Sequence, residues 1–250
     1  MSDVIGWRHK FGVITPSTNT IVQPEYDDMR PVGVTNHISR MHILDNSINN
    51  NSDFEKLIFE IDLALESAVD RVITCLPDSI VLGISAESIW GGGLDAASKV
   101  KNRIRNKSGG KDVFIAADAL LMALKKYKVK GKVGLITPYM PVAEKHLKKF
   151  MDDIGYDVSS MIHLQCSSPV LIAHTSLNDI KLALTQLVTE GASAIVQFGA
   201  NLPMARFSDL AENWLEIPVI SVNVATYWHA LRSKKINDQI TGFGKLMKNF

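Results

Sequence analysis

An α/β fold built from two similar halves is predicted by two observations. Short apolar runs alternate with longer amphipathic ones, and a five-residue motif occurs twice, about half a chain apart. The strand-like runs are Phe11–Thr15, Ser79–Ile84, Val113–Ala116, Lys132–Thr137, Ala194–Phe198 and Pro218–Val222. Each is nearly continuously apolar and rich in β-branched residues, as strands covered on both faces should be. Between them, Asp53–Val72 sets Phe54, Leu57, Ile58, Ile61, Leu65 and Val69 on one helical stripe. Pro141–Ile154 and Leu177–Thr189 follow the same period. Such alternation predicts parallel sheets flanked by helices.

The repeated motif is Gly12-Val-Ile-Thr-Pro16, which returns as Gly134-Leu-Ile-Thr-Pro138. Leu82–Ser85 and Gln197–Ala200 form a second pair at roughly the same offset, each closing an apolar run with small residues. Two Rossmann-like halves with parallel sheets, related by a pseudo-twofold axis, account for both pairs. The expected division is residues 1–116 with 224–250 for the first half, and 117–223 for the second. Ligands of open parallel sheets bind beyond the carboxyl ends of the strands. The loops there are Thr15–Asn19, Gly83–Ser88, Pro138–Tyr139 and Gly199–Asn201. The active site is therefore expected in the cleft between the halves.

Composition narrows the function classes. The chain has 250 residues, 46% hydrophobic and 21% charged, which is globular and neither disordered nor low in complexity. Formal net charge is +1, so no electrostatic footprint for nucleic acid is present. No run reaches the ~20 apolar residues of a membrane span, and the N-terminus does not read as a secretory signal. Two cysteines, Cys75 and Cys166, make no disulfide framework and suit a reducing compartment. A cytoplasmic protein is expected. No phosphate-binding G-x-G-x-x-G or Walker pattern appears, and Gly91–Gly93 reads as a turn. No spacing of His, Cys, Asp and Glu suggests zinc, so neither metal nor cofactor is expected.

The segments Pro16–Thr20 (PSTNT), His37–Met41 (HISRM), Thr137–Tyr139 (TPY) and Pro218–Arg232 (PVISVNVATYWHALR) resemble the maleate cis–trans isomerase group. That group belongs to the aspartate/glutamate racemase superfamily, with arylmalonate decarboxylase and hydantoin racemase. The resemblance runs over nearly the whole chain. It implies cofactor-independent chemistry next to a carboxylate or carbonyl, in a cleft between two halves. It also implies two cysteines, one per half, on opposite faces of the substrate. At those positions this sequence has Ile84 and Gly199. Arylmalonate decarboxylase lacks the first cysteine but keeps the second as proton donor, whereas this chain has neither. Asn19 and Tyr139 match residues that hold a substrate carboxylate. Asn201 lies in a Gly-Ala-Asn triplet where maleate isomerases read Cys-Thr-Asn, and Ser85 matches a hydroxyl of the decarboxylase pocket.

The chemistry stands without the resemblance. A carboxylate or enediolate needs convergent neutral donors, and Asn, Ser, Tyr and backbone N–H groups supply them. Ser85, Glu87 and Tyr139 are the candidate catalytic residues. Ser17, Asn19, Ile84, Ser168, Gly199, Ala200 and Asn201 are the candidate substrate-binding set. Bland alternatives remain open: Asn19 as a helix cap, Ser85 as a turn hydroxyl, Glu87 as a cap of the following helix. Cys75 reads as a packed residue and Cys166 as a strand-end residue. Trp90 and Met204 read as core or as an apolar wall. The expected function is a cofactor-independent lyase, decarboxylase-like or of another kind, acting on a small carboxylate or related carbonyl compound through an enediolate-like intermediate; without both family cysteines, a true racemase or maleate isomerase is not expected. One alternative is a hydrolase in which Ser85 attacks or Glu87 activates water. Another is a non-catalytic small-acid binder. A homo-oligomer is expected.

Overall fold

The computed structural model describes residues 3–86 and 90–250. The chain forms two four-stranded sheets, parallel throughout. The first contains β1 (His9–Pro16), β2 (Val34–Met41), β3 (Ser79–Leu82) and β4 (Asp112–Phe114), in the order β2-β1-β3-β4. The second contains β5 (Val133–Thr137), β6 (Val158–His163), β7 (Ala194–Gln197) and β8 (Val219–Ser221), in the order β6-β5-β7-β8. The orders superimpose strand for strand, so the duplication read from the motif is one of topology.

The repeated glycine has a packing cause. A Cβ on Gly12 would lie 3.0 Å from side-chain atoms of Val72, Pro77 and Ile80. A Cβ on Gly134 would lie 2.9 Å from Ala192 and 3.1 Å from Leu187. In each half, the last turn of a returning helix and the chain after it pack closely on the central strand at this point, so a side chain there would have to displace its neighbours.

Helix α1 (Val22–Met29) follows β1, and α2 (Asn51–Ile73) packs on β1 and β2. The Asn50 Oδ1 accepts the Asp53 N–H and caps α2. Helices α3 (Leu94–Lys107) and α4 (Ala116–Tyr127) complete the first stretch. In the second, α5 (Glu144–Asp153) continues a 3₁₀ turn at Pro141–Ala143, and α6 (Leu177–Thr189) is capped by Ser176 on Asp179 N–H. Helices α7 (Ala205–Leu215), α8 (Val222–Ser233) and α9 (Gly244–Asn249) close the chain. The run Pro218–Arg232 becomes β8 and α8. Helix α8 is buried along most of its length and packs on α4, α1, β3 and β4. The chain thus leaves the second sheet and returns to the first.

The expected strands all form, most with ends trimmed by one or two residues, while β1 runs two residues further at its start and one at its end. Ala116, expected at the end of a strand, instead opens α4. No helix among the described residues is long and apolar enough to cross a membrane.

Candidate active site

Four loops at the carboxyl ends of β1, β3, β5 and β7 meet around one cleft. Between β1 and β3, and between β5 and β7, the chain direction switches sides, which is where such sheets leave a crevice. The first half contributes Pro16, Thr18, Asn19, Ile84 and Ala86 to the lining. The second contributes Tyr139, Pro169, Gly199, Ala200 and Asn201. Phe54, Leu57, Ile58 and Ile61 of α2 form an apolar wall with Ile43 and Ile172. Among the described residues no charged side chain lines the cleft.

Its back is a hydrogen-bonded seam between the halves. The Ser85 Oγ accepts the Gly199 N–H at 2.9 Å and lies 2.9 Å from the Tyr139 hydroxyl. Ser85 is fully buried and stands behind the lining, not in it. Tyr139 lines the cleft, and burial raises its phenol above the ordinary value, so it stays protonated.

The loop after β7 is shaped by buried amides. Gln197 Nε2 donates to the carbonyls of Phe198 (2.7 Å) and Gly199 (2.8 Å), and Asn223 Nδ2 donates to that of Ala200 (2.9 Å). In a trans peptide the N–H points opposite to the carbonyl. The N–H groups of Gly199, Ala200 and Asn201 therefore point away from these amides. That of Gly199 meets Ser85. Those of Ala200 and Asn201 meet no acceptor among the described residues. The first half repeats the device: Thr15 Oγ1 donates to the Gly83 carbonyl at 3.0 Å, turning the Ile84 N–H the other way.

Gly199 adopts φ +93°, a conformation L residues rarely take, and a Cβ there would collide with the Pro138 ring.

Asn19 lines the cleft and caps α1 at once. Its Oδ1 accepts the N–H groups of Ile21 (3.0 Å) and Val22 (2.8 Å), which leaves Nδ2 as its donor. Arg40 holds the same loop, donating to the Asn19 carbonyl at 2.7 Å. Asn201 is also committed. Its Oδ1 accepts the Thr20 N–H at 2.9 Å and its Nδ2 donates to the Pro169 carbonyl at 2.8 Å. The side chain ties the two halves together, and the backbone N–H is its group left for a ligand.

The remaining described candidates lie outside the lining. The Ser17 hydroxyl exchanges hydrogen bonds with the Ile43 backbone, closing the loop onto the segment after β2. The Ser168 hydroxyl accepts the Leu171 N–H of a 3₁₀ turn. Neither lines the cleft. Met204 is fully buried, and Trp90 stacks on His146 and edges Phe54 outside the lining. Glu87 lies outside the described residues. Cys75 is exposed in the turn after α2, and Cys166 faces Thr175 at 3.6 Å. Neither thiol lines the cleft.

Sequence reasoning passed over Thr18, Gln197 and Asn223. The last two carried a signal, since each is a lone amide in an apolar run that a sheet and a buried helix must cover. The α2 stripe was visible, but its role as a wall depends on how the halves face each other.

Known proteins agree with this architecture. A maleate isomerase of Alcaligenes faecalis is 22% identical over 250 residues, covering 96% of each chain. The structure of a cysteine-to-serine variant of Nocardia farcinica maleate cis-trans isomerase, with a covalently bound succinylcysteine intermediate, matches with TM-score 0.85. It has 21% identity and covers 97% of this chain and 99% of that one. A liganded double mutant of arylmalonate decarboxylase matches with TM-score 0.78 at 16% identity, covering 95% and 98%. At these identities the structural likeness shows the fold: two similar halves, each with a parallel sheet. The arylmalonate decarboxylase family model matches residues 66–247, and the chain belongs to that family.

Proposed function

We propose that this protein is a cofactor-independent lyase that removes a carboxyl group, or a comparable leaving group, next to a carboxylate through an enediolate-like intermediate. The observation that carries the reading is a cleft lined by residues with neutral donors and, among the described residues, by no charged side chain. The donors are the N–H groups of Ile84, Ala200 and Asn201, the Asn19 Nδ2 and the Tyr139 hydroxyl. These donors are held by second contacts before any ligand arrives. They stabilise negative charge that develops on oxygen without reorganising at that moment. In a decarboxylation the C–C bond breaks and its electron pair moves onto the remaining carboxylate as an enediolate. Carbon dioxide leaves, and a proton must then reach the α-carbon.

Tyr139 is the proposed proton carrier. If Ser85 receives the Gly199 N–H and donates to the Tyr139 oxygen, the tyrosine O–H is turned toward the cleft. The three groups then form one polarised chain ending at the substrate. The apolar wall from α2 suits a substituent without charge on the carbon that bears the carboxylates.

A thiol mechanism is disfavoured on geometry. The Nocardia farcinica neighbour carries its succinyl group on a cysteine, whereas neither cysteine of this chain lines the cleft. The Ser85 version of the hydrolase alternative is also weakened, because the hydroxyl is sealed behind Tyr139 and Gly199.

Proton NMR in heavy water tests the reading, with a panel of maleate, alkyl- and aryl-malonates, hydantoins and small unsaturated acids and lactones. The expected result is loss of carbon dioxide from a substituted malonate with one deuterium gained at the α-carbon, maleate being unchanged. Conversion of maleate to fumarate at an enzymatic rate, or ring opening without deuterium at carbon, overturns it. Binding without turnover across the panel points to the small-acid binder.

A further inference from the structure

We propose that Glu25 is a positioning residue of the cleft. Its carboxylate sets the orientation of the Asn223 amide, and through it the Ala200 carbonyl and the Asn201 N–H on the same peptide. The inference rests on the proposed function only in taking that N–H as part of the oxyanion site.

Glu25 sits on α1, in the first half, and reaches into the second. Its Oε1 accepts the Ala205 N–H at the start of α7 at 2.9 Å, and its Oε2 accepts Asn223 Nδ2 at 2.6 Å. The same Nδ2 donates its other hydrogen to the Ala200 carbonyl at 2.9 Å. Both partners of the Asn223 nitrogen are therefore acceptors. While Glu25 is ionised it can only accept, so the amide must present its nitrogen, and Ala200 is held.

A proton on Glu25 reverses this. Placed on Oε2, it meets the Asn223 N–H donor. Relief comes from turning the amide so that Oδ1 faces Glu25, which sets Oδ1 against the Ala200 carbonyl and releases the loop. Placed on Oε1, the proton meets the Ala205 N–H instead. The donors aimed at this carboxyl select the ionised form as the one that shapes the cleft.

The titration falls where the switch can be used. Burial, aided by Asp28 on the same helix, pushes the Glu25 carboxyl up to about 7, against the bonds from Asn223, Ala205 and Met204. From α7, Arg206 pairs with Asp28 at 2.9 Å and offsets its charge. From β2, Arg40 is engaged by Gln23 and the Asn19 carbonyl. Helix α8 contributes the neutral Asn223.

The experiment is backbone NMR of the full chain from pH 5 to 9, following the Ala200 carbonyl and Asn201 amide beside the Glu25 side-chain carboxyl. In the wild type all three should titrate together, with a midpoint within about one unit of 7. In Glu25→Gln the loop transition should vanish, and in Glu25→Asp it should return. A loop transition that survives in Glu25→Gln overturns the proposal. So do loop signals that stay flat in the wild type while the Glu25 carboxyl titrates, and this arm needs no variant to fold. With a substrate in hand, kcat should rise with pH along the same midpoint. Glu25→Gln should lose that limb and about tenfold in kcat at pH 8, as expected for a displaced oxyanion donor. Absence of turnover refutes the proposed function alone, because the NMR transition is read without substrate.

Discussion

The Gly199 N–H donates to the Ser85 hydroxyl at 2.9 Å, joining the loop after β7 to the loop after β3 across the pseudo-twofold axis. The hydroxyl is buried and also meets Tyr139, so three strand ends, from both halves, share one oxygen atom. Ser85→Ala removes the acceptor and leaves the Gly199 N–H buried without one. The expected cost is about 1–3 kcal/mol. For a chain of this size that is a fall of a few degrees in Tm, read by calorimetry. Turnover should drop, because Tyr139 loses its anchor, and should not vanish. Mass spectrometry should find no acyl group on Ser85. An acyl-Ser85 species would restore the hydrolase reading.

Position 199 should refuse a thiol. The +93° φ is strained for any L residue, and the Cβ meets Pro138. Gly199→Cys is expected to cost at least ~1–2 kcal/mol from the backbone conformation alone, with the collision added to it. The loop N–H groups would also shift. Loss of stability by urea titration with no gain of maleate isomerisation is the expected outcome. A stable, isomerase-competent variant would show that the loop can re-form around a side chain.

The fold was legible because its signals are local and repeated. Gly12 and Gly134 mark where a returning helix and the chain after it pack closely on a central strand, and the Thr-Pro that follows each ends that strand. The edge strands were harder. β2 (VTNHISRM) and β6 (VSSMIH) are half-exposed and carry polar residues, so they lack the apolar run that marks a strand covered on both faces. At the site, Asn19 and Tyr139 could be placed by position, since a strand end fixes a loop residue. Position alone puts Ser17 and Ser168 at the cleft as well. A short loop puts every residue near the cleft, and only the closed hydrogen bonds to Ile43 and Leu171 show which hydroxyls turn away.

The apolar wall should set substrate choice. Ile172 lines the cleft from a short 3₁₀ turn and is only partly buried, so it can be enlarged with little damage to the core. Ile172→Phe is expected to raise KM for bulky substituted acids by roughly tenfold or more, since lost pocket contacts are worth about 1–3 kcal/mol. A small methyl-substituted analogue should be affected much less. Equal effects on both substrates would move the substituent to another part of the cleft.

Glu25 also makes a claim on stability, with a definite sign. Its carboxyl titrates near 7 in the folded protein, above the ordinary value of 4.5. Between those two values the folded state binds more protons than the unfolded chain, so this group's contribution to stability falls as pH rises. Below about 4.5 the contribution is full, and above about 7 it has been lost. The span corresponds to up to roughly 3 kcal/mol. The buried histidines work in the opposite direction. Burial lowers the titration of His9, His163 and His229, so their contributions rise with pH up to the ordinary histidine value. A wild-type profile alone mixes the two. The difference between wild type and Glu25→Gln cancels the histidines and isolates the carboxyl. Urea unfolding at half-unit steps from pH 5 to 8 should show the wild type losing stability relative to the variant as pH rises. That loss should level off above 7. A flat difference would mean that Glu25 titrates as an ordinary carboxylate, and that the folded protein tolerates its charge between the halves without cost.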